Sequence, residues 1–179
     1  MPRNWTSALL AALMWLACAA GPAPDESGRK RTVEKLFDCE VPKDWSYKPL
    51  TAEATGFLFT DGLTRISAVR HEGREARFAT PQAFLKDAEA WGGPLKKLGL
   101  TEVAGRNCAR YQRRQERRHR EKGRDIREFL YEDFVVRPDE QGFWVLKLQS
   151  PSRAYLAKPR GLAAWQRFLA TFQPKGPQR

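Results

Sequence analysis

Apolar positions along this chain follow two rhythms. In "KLFDCEVPKDW", Phe37, Cys39 and Val41 alternate with Leu36, Asp38 and Glu40. That period of two predicts a strand with Phe37, Cys39 and Val41 on its buried face. Pro42, with no N–H to give a ladder, ends it. "GFLFTDGLTRISAVRH" predicts two strands joined at Asp61-Gly62, a short hairpin signal. Ile66 and Ala68 share one face of the second strand, and Leu63, Arg65, Ser67 and Val69 the other. In "GFWVLKLQSP", Trp144, Leu146 and Leu148 form an apolar face, while Phe143 and Val145 begin an opposite face that turns polar at Lys147. Apolar residues on both faces predict a central strand.

Elsewhere the period is helical. "TPQAFLKDAEAWGG" has Thr80 as N-cap, Pro81 at the first helical position and Gly92-Gly93 as a stop. Phe84, Ala88 and Trp91 fall on one stripe, which predicts a core-facing side. "RGLAAWQRFLATFQP" is a second amphipathic helix, with Leu162, Trp165, Phe168, Leu169 and Phe172 on its stripe and Pro174 beyond its end. Between the helices, "GLTEVAGRNCARYQRR" reads as a short strand, a turn at Gly105 and a longer strand. "EKGRD" marks the turn of an extended hairpin, and "REFLYEDFVV" returns as its second arm. Strands, helix, strands and terminal helix, joined by hairpins, predict an α+β layered domain with a mainly antiparallel sheet.

The start of the chain reads as an address. "SALLAALMWLACAA" follows Arg3 without a charge and is shorter than the roughly 20 apolar residues of a membrane span. Residues 1–19 are expected to be a signal peptide, 20–32 a flexible linker, 33–173 the domain and 174–179 a tail. Two exits stay open. Ala17-Cys18-Ala19 fits ordinary cleavage before Ala20; "WLAC" resembles a lipobox that would leave Cys18 lipidated, with Trp15 and Leu16 departing from its preferred residues. The polar tether "GPAPDESGRKR" tilts the reading towards an anchored, exported protein of the periplasm or cell envelope. Removing Cys18 leaves Cys39 and Cys108. In an oxidising compartment they could pair and close a long loop, worth on the order of 3–4 kcal/mol; two separately buried free thiols are the alternative.

Together "FDCEVPKDW", "TPQAFL", "VAGRNCARYQ", "GFWVLKLQSP" and "WQRFLATFQ" resemble the PsbP-like family over roughly Val33 to Gln173. The resemblance is one of element order. It implies an α/β/α sandwich around an antiparallel sheet, and a non-catalytic binding or assembly role of the kind expected for exported or lipoprotein members.

Composition sharpens the partner. The 179 residues are 41% hydrophobic and 30% charged, as in a globular protein, but carry a net charge of +11. Such a balance attracts anionic surfaces. The charge concentrates between Arg110 and Arg127, where nine basic and three acidic residues leave +6. Strand alternation places Arg110, Arg114, Glu116, Arg118 and Arg120 on one face, and Tyr111, Arg113, Gln115 and Arg117 on the other. We read Arg113, Arg114, Arg117, Arg118, Arg120 and Lys122 as an anion-binding finger, since arginine forks suit phosphate and carboxylate. The plainer reading is a solvated hairpin. Anionic lipid, glycan or an acidic protein of the envelope fits better than nucleic acid, for which only Tyr111 interleaves as a stacking platform.

Catalytic chemistry has little support. The two histidines, His71 and His119, read as surface residues, and arginines flank His119. No nucleophile elbow, P-loop, dinucleotide fingerprint or Cys/His zinc spacing appears. A metal at His71 with Glu72 or Glu75 is a weak alternative. The expectation is no catalytic residue, metal or cofactor. The competing expectation is a small-ligand carrier or enzyme with a sheet–helix pocket near His71.

Overall fold

The computed structural model describes residues 29–33, 36–50, 55–73, 76–121 and 123–176. Cys18, the signal and most of the linker lie outside them, as does Lys122. The elements are β1 (Arg29–Val33), β2 (Phe37–Val41), β3 (Ser46–Pro49), β4 (Thr55–Thr60), β5 (Arg65–Glu72), α1 (Pro81–Gly92), β6 (Lys96–Val103), β7 (Arg106–Glu121), β8 (Arg124–Asp139), β9 (Gly142–Pro151), α2 (Ser152–Tyr155), α3 (Gly161–Thr171) and β10 (Gln173–Pro174).

Seven strands form an antiparallel sheet in the order β3-β4-β5-β9-β8-β7-β6, and β1-β2-β10 form a small antiparallel sheet. The strand expected to be central, β9, lies between β5 and β8. One face of the large sheet carries Phe59, Ile66, Ala68, Val135, Trp144 and Leu146, which share a core with the small sheet and α3. Helix α3 sits against β2 and β9. Its Trp165, Phe168 and Leu169, with Phe172 just beyond, are buried, because four large side chains at helical spacing have one apolar surface to cover. Phe37 of β2 meets Trp144 edge-on with ring centroids 5.5 Å apart, which ties the small sheet to the large one.

The opposite face receives α1. Phe78, Phe84 and Leu85 pack on Val136, Phe143 and Val145. Thr80 caps the helix by accepting from the Ala83 N–H at 3.2 Å, and Pro81 occupies its first position. The result is a three-layer α+β arrangement.

Several boundaries differ from the sequence reading. Arg29 to Thr32, read as linker, belong to β1, whose whole length pairs with β2. Pro174, read as tail, pairs with Phe37, and the Lys175 N–H donates to the Leu36 carbonyl at 2.8 Å. The turn at Asp61-Gly62 is a four-residue loop, since the Asp61 carboxylate accepts from both the Leu63 and Thr64 N–H groups at 2.9 and 2.7 Å. Trp91, expected in the core stripe of α1, is 84% exposed.

The Cys39–Cys108 bridge is not formed. Cys39 lies on β2 of the small sheet and Cys108 on β7 of the large one, both as buried free thiols. Each fills the place of a small apolar side chain in the core. Burial, with Asp38 adding to it, pushes the Cys39 thiol up to about 12. Burial also raises Cys108 against the opposing pull of Arg137 and Arg106. Neither is a reactive thiolate at neutral pH.

Candidate functional site

The hairpin of β7 and β8 outruns its neighbours. Strand β6 leaves β7 at Gln112, and β9 leaves β8 at Leu130. From Glu116 and Phe129 outward the two strands pair only with each other, down to Glu121 opposite Arg124. This two-stranded ribbon is where the expected finger lies. Arg117, Arg118 and Arg120 are exposed on it, with Arg114 exposed at its root, and so are Arg124 and Arg127, which the sequence reading did not single out.

The predicted alternation holds. Glu116 accepts from Arg118 at 2.9 Å and from Arg127 across the ribbon on the same face, and these two hydrogen bonds hold its carboxyl below the ordinary carboxylate range. Arg114 lies over the Phe129 ring at 4.4 Å and Arg127 at 5.8 Å, so an aromatic ring sits between two guanidiniums. Arg118, Arg120 and Arg127 border an open concavity of about 560 Å³. Arg117 lies on the other face, beside Glu128 and Arg153.

Two arginines of the Arg110–Arg127 stretch, Arg113 of the expected finger and Arg110 beside it, are structural instead. Arg113 is only 10% exposed. It donates to the Glu132 carboxylate and to the Ala88 carbonyl of α1. Glu132, 2% exposed, also takes Lys147 at 2.7 Å and a bond from Gln149. Burial raises this carboxyl, but Lys147 and the three donors outweigh it, and the net shift is downward. Burial likewise lowers Lys147, against Glu132's opposing effect. Gly92 belongs to the same arrangement: a Cβ there would overlap the Arg113 guanidinium. Arg110 pairs with the fully buried Asp133 at 3.1 Å. Asp133 further accepts from Gln112 and the Tyr155 hydroxyl, both at 2.9 Å. These two networks anchor the root of the ribbon. They also remove Arg110 and Arg113 from its free charge. Without them the Arg110–Arg127 stretch keeps +4 of its +6, and residues 114–128, which take in Glu128, hold seven basic and four acidic side chains, a net of +3.

His71 is not a surface residue. It is buried, stacked on Phe143 at 4.9 Å and edge-on to Phe78 at 5.4 Å. Burial, then Arg77, lowers its pKa, so the imidazole is neutral at pH 7. It borders a cleft of about 500 Å³ between α1 and the sheet. Phe84, Ala88 and Trp91 line the helix side, and Val69, Phe134 and Val145 are among those lining the sheet side. Lys147 and Arg113 reach its floor, and Arg77 and Asp87 lie 3.6 Å apart in its lining. Sequence reasoning pointed to a pocket near His71 but not to Lys147, whose place on a core-facing strand position was the available signal. Among the described residues, no group of three or more His, Cys, Asp or Glu side chains is placed to hold a metal ion, and no helix is long and apolar enough to cross a membrane.

No family model and no curated protein matches the chain. Solved structures similar to it include the following two. One, from Bacteroides thetaiotaomicron VPI-5482, superposes with a TM-score of 0.51 at 12% identity, covering 83% of this chain and 49% of that one. The chain thus spans about half the length of that protein, and the likeness is one of fold. The other is LpqN of Mycobacterium tuberculosis, described as involved in cell envelope biogenesis, with a TM-score of 0.41, 14% identity and coverage of 84% and 86%.

Proposed function

We propose that this chain is a non-catalytic, exported binding module of PsbP-like architecture, anchored as a lipoprotein through Cys18, whose basic ribbon docks on an anionic lipid surface. The exposed ribbon carries the reading. Five exposed arginines stand where the two strands pair only with each other, Arg114 stands exposed at their root, and Glu116 engages two of them in solvent. The three-layer order of elements supports the PsbP-like part. A single acyl chain gives marginal membrane binding, and a basic patch is the second signal that makes it stable. Each basic residue near an anionic leaflet contributes about 1 kcal/mol.

The test is flotation of the purified domain, residues 29–176, with vesicles containing phosphatidylglycerol. Replacing Arg114, Arg117, Arg118 and Arg120 with Ser takes the ribbon from +3 to −1. The domain is expected to float with these vesicles at low salt and to lose them at high salt. The quadruple variant is expected to lose them throughout while unfolding at an unchanged temperature. Equal flotation of variant and parent overturns the reading. Binding only to an acidic protein, with no flotation, replaces the lipid as the partner.

A further inference from the structure

We propose that the cleft between α1 and the large sheet is a binding site for a small aromatic carboxylate. The site is separate from the ribbon and does not depend on it. At about 500 Å³ it falls within the size range of small-molecule sites, roughly 300–1,000 Å³.

Two features mark it as more than a packing gap. The first is charge. Arg113 and Lys147 converge on one carboxylate, Glu132, at the floor of the cleft. Gln149, the fourth group there, is neutral. The cluster, buried at Glu132 and Arg113 and a quarter exposed at Lys147 where it meets the cleft, holds two cations and one anion, and is one negative charge short. Removing charge from water is unfavourable unless a partner compensates it. Glu132 is the one hydrogen-bond acceptor Lys147 has among the described residues, and an ammonium carries three donors. A carboxylate entering the cleft supplies both the charge and the second acceptor. Arg77 and Asp87, paired with each other, leave that balance unchanged.

The second is the aromatic lining. Trp91 occupies the core stripe of α1 yet leaves its indole 84% exposed beside the cleft. Phe84 lines the same side, and Phe134 lies on the floor with Lys147 5.1 Å and Arg113 5.3 Å from its ring centroid. A planar ring held between Trp91 and Phe134 would cover the indole and bring its carboxylate towards Lys147. The neutral His71 adds apolar wall and no competing charge.

The probe is 2-naphthoate, titrated by calorimetry and by the Trp91 indole resonance in nitrogen-15 spectra. Naphthoate is expected to bind and shift that resonance, 2-naphthylmethylammonium to bind at least about tenfold more weakly, and decanoate to bind more weakly than naphthoate. Lys147→Met is expected to lose about tenfold or more in affinity. Because Lys147 also holds Glu132, two further variants avoid that cluster. Trp91→Ala alters an exposed residue, and Ser67→Phe fills the cleft from β5. Both are expected to weaken binding with native circular dichroism retained. Absence of naphthoate binding, equal binding of the cation, tighter binding of decanoate, or unchanged affinity in Ser67→Phe would each overturn the proposal.

Discussion

Replacing Arg113 with Ala separates the two roles an arginine on this hairpin can have. In the sequence it is one of several similar arginines; in the fold it is the buried partner of Glu132 and a donor to the α1 backbone at Ala88. Its side chain is 10% exposed and that of Glu132 is 2%. Lys147 and Gln149 still hold Glu132 in its absence, so no charge is left unpaired and the loss is that of a hydrogen bond between charged groups, about 2 kcal/mol. Losing the donor to Ala88 adds about 1 kcal/mol. Arg113→Ala should therefore destabilise the domain by about 3 kcal/mol. At about 2–4 °C per kcal/mol for a domain of this size, that lowers the melting temperature by about 6–12 °C. Arg118→Ala is the control: 77% exposed and paired with Glu116 in solvent, it should stay within about 0.5 kcal/mol of the parent. Urea unfolding followed by tryptophan fluorescence reads both. If Arg113→Ala unfolds at the same urea concentration as Arg118→Ala, the buried network does not hold α1 to the sheet, and the separation of structural from free arginines fails.

Two further outcomes follow. His71 has a folded pKa below its ordinary 6.5, so the unfolded imidazole takes a proton first. Its contribution is full above about pH 6.5 and lost as pH falls through the lower folded value. His71→Phe, placing a ring among Phe78, Phe84 and Phe143, should flatten that part of the acid limb in pH-dependent melting; an unchanged limb contradicts the buried neutral imidazole. Cys39 and Cys108 should resist a thiol reagent in the native state, react in denaturant, and give an intact mass with both hydrogens present; a mass two hydrogens lighter would restore the bridge.

The elements with strong periodicity were legible, and their burial explains why. The alternation of Phe37, Cys39 and Val41 and the stripe of Trp165, Phe168 and Leu169 each face one apolar layer, so pattern and packing agree. Strand β3 escaped notice because all four of its residues are exposed, leaving no alternation to read. Strand β1 carries polar residues from Arg29 to Thr32, so it shows no alternation of its own to read and exists through its pairing with β2. Trp91 shows the reverse error, since helical spacing sets the direction of a side chain but not what lies opposite it.

The basic finger was legible as a run of like residues. Which arginines stay free depended on Glu132 and Asp133, each about twenty positions away on β8. The cleft depended on Lys147 and Trp91 lining one cavity from the sheet and from α1, a placement that neither spacing nor composition encodes.

The central claim is that the ribbon tip is the part of the molecule that meets the anionic surface. A fluorophore on Asp125→Cys, at the tip, reports this directly against one on Glu140→Cys, in the turn at the other end of β8. The native thiols are buried and stay unlabelled. With vesicles carrying nitroxide headgroups, the account predicts strong quenching at 125 and little at 140, abolished by high salt. Equal quenching at both positions, or stronger quenching at 140, would contradict it.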